Sequence, residues 1–569
     1  MLSIDQNSHS LWDVLPKLHA LASKGVAATH YVEDIDVAFT AMGAELASAP
    51  LQLVRERYHH SGGADWGAAM FYTEFLGRQP VEVRDLEPFV GTKLSALAKK
   101  LGRGVDDLYD EFSPGDNWQL IGPSFVGGRD HHRVVGDLTV AETAPLLREL
   151  LSKARENTLE SFPASACRRR ANDWFDREEA LVERLVRELA AGKLVDLYAR
   201  WLGEHLGGAV RLGLTSELFA CSRADAPGLR LVAPFVRDYP AAARLYNEAV
   251  AESGVSLHPL DTRAGELPLF ATFAREGHLV RAGASFRNGM VEVPGLPPVR
   301  PGDDGSLPPE NLAAAGVRCV AGKAALLVTQ VRCGPGGEEL ALPHRGSGYM
   351  PAAHGLVRKL TVAGMLDGPP KPVVRVRLCL LDRIAAVDAP VRLPAYLAEA
   401  FGEAEVPCRK LAESWREIAG AAAARLESFR DDEARRRWQE SEMPDAHEEL
   451  TRLDARKRDL AKLNPKAPEL REIWKHMREL QTGVLERTLR RIDADVQLAG
   501  LEYYDTRGAA MPWCVALGGE RFYQEVIRKA ELKEEGCHSA PRRSSSGRQD
   551  GREQAAPGSS EREKSEPAP

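Results

Sequence analysis

The chain of 569 residues carries 82 acidic and 75 basic side chains, a formal net charge of −7, and 44% hydrophobic residues. That length holds two or three packed domains, and the near balance of charge argues against a nucleic-acid binder working by bulk charge. No apolar run reaches bilayer length, no basic flank and apolar run open the chain, and the eight cysteines include no C-x-x-C pair. A cytoplasmic protein with reduced thiols, without a membrane span, zinc ribbon or disulfide framework, is expected.

Residues 1–209 read as a mostly helical N-terminal region. Leu15, Leu18 and Leu21, then Val37, Ala38 and Ala41, fall on apolar helix faces through 11–53, and helical periodicity returns over 94–108. An ordered loop over 113–138 holds a short strand at 119–126. Thr139-Val140-Ala141-Glu142 is a capping box opening a helix with Leu146, Leu147, Leu150 and Leu151, and a longer helix covers 176–206. Strands alternate with helices over 210–403, the spacing of an α/β core. Strands are expected at 210–214, within 267–293, at 323–333 and at 338–342, with a helix over 241–253 and a Pro/Gly/Asp linker over 294–309. Beyond 371, Val374, Val376, Leu378 and Leu380 alternate with Arg375 and Arg377, giving one apolar and one cationic strand face.

Residues 404–500 are helical and charged. Leu470, Ile473, Met477, Leu480 and Val484 repeat at spacings of three and four, the seam of an antiparallel helical arm, with 450–496 as a homodimer contact. Residues 501–534 return to the core as a strand at 513–517, the Gly518-Gly519 turn and a helix. Residues 535–569 are Ser, Gly, Pro, Glu and Arg with almost no apolar side chain and read as a disordered tail.

Two stretches carry candidate chemistry. His344-Arg345-Gly346-Ser347-Gly348-Tyr349 lies between a strand and a helix that begins near Pro351. Such a loop offers amide hydrogens and the positive helix end to an anion, with Arg345 and Lys323 as cations, Ser347 and Tyr349 as hydroxyls and His344 as acid or base. The spacing matches neither a Walker loop nor the dinucleotide fingerprint, and a turn that needs glycine for its backbone is the structural alternative. The second is Asp130-His131-His132, joined by His30, Asp34 and Asp36 in an H-x-x-x-D-x-D spacing. These two patches resemble the first and third motifs of the DHH phosphoesterases, and the resemblance implies a manganese-type metal on those six residues. Glycines precede Asp130 where that family has an apolar strand, and on a helix Asp34 and Asp36 would diverge by about 200°. The alternative is a loop whose histidines and Arg129 pair with Asp130 and Asp137.

The order of elements from 218 to 530 resembles the cysteine-adding enzymes of bacillithiol synthesis, with GELPLF at 265–270 and the Gly-rich loop as the local likenesses. That resemblance implies a Rossmann-like layered core with a projecting coiled-coil arm and a condensation or ligase-type activity. No counterpart of that family's N-terminal glycine- and glutamine-containing ligand loop is found before Val210. Three readings stay open: an α/β protein binding an anionic small molecule, nucleotide or carboxylate metabolite; a metal-dependent phosphoesterase; and a scaffold dimerising through its arm. No cofactor is named by these residues. Glu248 with Glu266 as a carboxylate pair, Trp118, Trp513 and Arg168-Arg169-Arg170 have no partner in sequence that makes them a site.

Overall fold

The computed structural model describes residues 1–5, 11–38, 51–57, 86–112, 114–121, 125–128, 130–255, 257–344, 346–502 and 510–535, with backbone alone at 11–13, 52–57, 106, 109–110, 114–121 and 396. Among these, the strands are β1 (Leu2–Ile4), β2 (Thr29–Val32), β3 (Gln52–Arg57), β4 (Pro114–Ile121), β5 (His132–Arg133), β6 (Arg211–Leu214), β7 (Glu266–Arg275) and β8 (His278–Arg287). They continue with β9 (Met290–Glu292), β10 (Val317–Gly322), β11 (Leu340–Pro343), β12 (Val373–Arg377), β13 (Pro390–Arg392), β14 (Glu405–Pro407) and β15 (Glu531–Glu535).

A six-stranded sheet runs β15-β12-β11-β1-β2-β6, parallel from β12 to β6 with β15 added antiparallel at the edge. Its middle strands, Leu-Ser-Ile in β1 and Leu-Ala-Leu in β11, are buried without alternation because both sheet faces are covered. A second sheet, β10-β7-β8-β5 with β9 beside β8, is antiparallel. The fold is mixed α/β, as expected. The first 32 residues supply two central strands, so the boundary read at 209/210 does not enclose the core, and Met1–Cys537 forms one compact unit.

Several elements differ from expectation. Residues 29–32 are strand rather than helix, with His30 and Val32 buried on the same face. The apolar run after Lys323 is the helix Ala324–Gln330, buried on most sides; so short an apolar run has no period to separate helix from strand. Residues 513–517 lie in the helix Ala510–Arg528, which bends at Gly519 (φ 72°, ψ −172°), and the returning strand is β15 beyond it. The strand read at 119–126 coincides with β4 only at 119–121; β4 begins earlier, at Pro114, and residues 122–124 lie outside the described residues. The capping box is present: Thr139 Oγ1 accepts the Glu142 amide at 3.2 Å, and the Thr139 amide donates to Glu142 at 3.0 Å.

The helices Pro444–Leu463 and Glu469–Ala499 pack through Leu453, Ile473 and Met477, flanked by Leu450, Leu460 and Leu480. Of the expected seam, Ile473, Met477 and Leu480 meet the neighbouring helix, and Leu470 and Val484 are not part of that cluster. Further along, Leu489 and Ile492 join Leu97, Leu108 and Phe429 in a separate cluster, and the fully buried Asp495 takes two bonds of 2.7 Å from Arg425. No helix among the described residues is long and apolar enough to cross a membrane.

Gly228 permits the closest backbone approach in the region that supports β10. A Cβ there would stand 1.7 Å from the Val320 carbonyl oxygen. The buried Gln330 ties the same corner, donating to the carbonyls of Gly228 (2.9 Å) and Arg230 (2.8 Å) and accepting the Gly322 amide (2.9 Å). Gly228→Ala should cost about 3 kcal/mol in urea unfolding. Gly420→Ala, in the helix Cys408–Phe429 with open space around it, should stabilise by up to about 1 kcal/mol.

Candidate functional site

Beyond the carboxyl end of β2 the chain turns through Glu33, Asp34, Ile35 and Asp36, and each acid is held differently. Glu33 Oε1 accepts the amides of Ile35 (2.7 Å) and Asp36 (2.8 Å), so the side chain caps its own turn. Asp34 accepts the amide (2.7 Å) and hydroxyl (2.5 Å) of Ser216, just past β6. Asp36 pairs with Arg281 of β8 at 2.5 Å. The carbonyls of Asp34 and Asp36 accept the amides of Gly136 (2.8 Å) and Val135 (2.9 Å), which brings the 130–137 stretch against this turn.

The second sheet supplies the opposite wall. Phe270 on β7 lies beneath the Arg281 guanidinium, 4.2 Å from its ring centre, with the Lys323 ammonium 5.1 Å away. Lys323, at the end of β10, is ion-paired with Glu266. Tyr349, from the loop after β11, completes a cavity of about 350 Å³, lined also by Glu33, Asp36, Tyr246, His258, Thr272, Phe270, Arg281 and Lys323.

Burial sets the protonation behaviour here. Desolvation, then the charges of Asp36 and Asp34, hold the Glu33 carboxyl well above the usual carboxylate range. Desolvation lifts Asp34 to about 6 against the two Ser216 hydrogen bonds. Burial likewise raises Tyr349, opposed by a hydrogen bond with the Ser347 side chain, and pushes Tyr246 up to about 12.

The residues read from sequence divide. Lys323 and Tyr349 reach the cavity, and Ser347 supports Tyr349 from a left-handed backbone (φ 58°). His344 instead pairs with Glu502 at 3.1 Å, and Glu502 in turn meets Arg377 at 3.0 Å. Gly346 packs against the Pro343 ring, while Gly348 has open space around it. The amides of Gly346, Met350, Ala352 and Ala353 are spent on the carbonyls of Pro343, Ser347 and Tyr349, which weakens the expected cradle of free amides. Arg345 and Arg129 lie outside the described residues, as does the tail read at 535–569 beyond Glu535.

The six metal candidates are shared out among other partners. His30 binds the Ser3 hydroxyl (3.0 Å) and Asp5 (3.1 Å); His131 bonds the Pro294 carbonyl (2.9 Å); the His132 ring lies tilted against Phe125 at 4.8 Å. Asp130 is exposed, while Asp34 and Asp36 hold Ser216 and Arg281. Asp137 is bound by Arg133 and His278. Among the described residues no three His, Cys, Asp or Glu side chains could hold a metal ion together. Glu266 and Glu248 form no pair; Glu248 meets Arg244 (2.7 Å) and Lys359 (3.1 Å).

Sequence reasoning missed Glu33, Phe270 and Arg281. Phe270 and Arg281 lie on separate strands and meet only through the β7–β8 pairing, in which Arg281 stands opposite Thr272. A usable signal was the run Glu33-Asp34-Ile35-Asp36 at the end of a strand, hidden by the helical reading of 11–53. Comparison with protein-family models, with curated proteins and with solved structures finds no match to this chain.

The raised acids make stability pH-dependent. A carboxyl that binds its proton more tightly when folded (about 6) than when unfolded (3.8) adds stability at low pH, and that stability fades as pH rises between those values. The protein should lose about 3 kcal/mol across pH 4–6 through Asp34, with Glu33 acting in the same direction. Asp34→Asn should flatten that part of the curve in urea titrations at stepped pH.

Proposed function

We propose that the cavity between the two sheets binds a small anionic metabolite, a carboxylate or phosphate compound, within a Rossmann-like core. The supporting observation is where the cavity lies. Ranked by chain position, the large sheet reads 3-2-1-4-5-6 from β6 to β15. In open α/β sheets of that order, ligands settle beyond the carboxyl ends of the strands where the order reverses, here between β1 and β11. Glu33 and Asp36 follow β2 and Tyr349 follows β11, on either side of β1.

The chemistry of the walls agrees. Lys323 and Arg281 are cations in a partly desolvated wall, each neutralised by one carboxylate, and an incoming anion exchanges for Glu266 on Lys323 while Arg281 keeps Asp36 and adds a second contact. Phe270 and Tyr349 give the ligand's carbon frame an apolar surface. Glu33, whose Oε1 is committed to two amides, offers its second oxygen for proton transfer in a condensation or ligase-type reaction. That reaction class is the one the sequence resemblance to the bacillithiol cysteine-adding enzymes would imply. His344, tied to Glu502, is a loop anchor in this reading.

A thermal-shift panel of phosphate monoesters and carboxylates tests the site. At least one class should raise Tm in the wild type. Lys323→Met and Arg281→Met should each weaken that compound about 10- to 100-fold, the loss of one charge-assisted hydrogen bond, while His344→Ala leaves affinity within about threefold. No shift with any compound, or loss confined to His344→Ala, would refute the reading.

A further inference from the structure

Arg375 stands on β12, opposite Lys533 of β15, and does not line the cavity. Its Nη1 donates to the carbonyls of Pro343 (3.1 Å) and Gly346 (2.6 Å), the two ends of the turn that leaves β11. Its Nε donates to Glu535 at 2.5 Å. The other Glu535 oxygen faces His354 Nδ1 at 3.8 Å, on the helix Met350–Val362 that the loop opens. One guanidinium therefore joins the last residue of the edge strand to the loop that carries Tyr349. The turn has little slack, since a Cβ at Gly346 would lie 2.9 Å from the Pro343 ring.

From this geometry we propose that Arg375 is a positioning residue for the cavity and that β15 is its latch, so that docking of β15 and occupancy of the cavity are coupled. The inference rests on the cavity being the binding site. A guanidinium bonded to two carbonyls and one carboxylate is fixed in plane and direction by that fork. If Glu535 loses its charge, the strongest of the three contacts weakens, Arg375 gains freedom, and the 343–349 turn loses its fixed form. Tyr349 then samples positions other than the cavity wall. Coupling between two binding events is reciprocal, so an occupant that prefers the ordered Tyr349 wall must in turn tighten β15 on β12. The edge strand is rich in Glu and Lys, charge that protects an edge from pairing with other chains, and Glu535 among them has an inward partner.

The test pairs amide hydrogen exchange with titration of inorganic phosphate, on the full chain carrying Glu535→Gln and, separately, Arg375→Lys. Both variants should speed exchange of the Met350 and Ala352 amides about tenfold, since these bond to Ser347 and Tyr349, while the β7 and β8 amides keep wild-type rates. Phosphate affinity should fall three- to tenfold with Tm nearly unchanged, and phosphate should slow exchange in β15 of the wild type. Unchanged loop exchange in both variants overturns the latch, as does acceleration spread evenly through the chain, which would mark plain destabilisation. If the wild type binds no phosphate or other anion, the cavity reading fails on its own, and loop exchange still decides whether β15 sets the turn.

Discussion

The ion pair between Asp36 and Arg281 holds the two sheets together at the cavity. Asp36 belongs to the turn after β2 in the parallel sheet, and Arg281 to β8 in the antiparallel one. The pair is mostly shielded from water, so neither partner can lose the other cheaply. Backbone bonds from Val135 and Gly136 to the same turn reinforce the join, and Arg281 at the same time covers Phe270. A hollow between two sheets persists only if something spans it. Here the spanning contact is charged.

The sequence was legible where one element decides its own form. The Thr139 capping box, the β7–β8 hairpins, the helix after Pro351 and the helical run beyond 404 are local patterns, and they are present. It was illegible where a short apolar stretch takes its form from what surrounds it. Residues 29–32 become strand because β1 and β6 lie beside them, and 324–330 become helix because Gly322 lets that turn sit against Gln330. Half the candidate site was visible for the same reason. Lys323 and Tyr349 announce themselves beside glycines, whereas Glu33 was hidden by the helical reading of its stretch and Arg281 acquires meaning only through its pairing with the distant Asp36.

Arg375 and Arg377 show how a correct pattern can carry a different role. Their alternation with valines does make a cationic strand face. Its charges are spent inside the protein: Arg375 on two loop carbonyls and Glu535, Arg377 on Glu502, which also holds His344. The Gly-rich loop is thereby pinned at its start, over residues 343–346. Its contribution to the cavity comes through Tyr349 rather than through open amides.

The most direct measurement is a crystal soaked with tungstate, an electron-dense stand-in for phosphate, examined by anomalous difference density. The expected peak lies in the hollow within hydrogen-bond reach of Lys323 Nζ, with Glu266 turned aside. A peak at the 344–349 turn, or an empty hollow at tungstate concentrations that fill other sites, would contradict binding between the sheets.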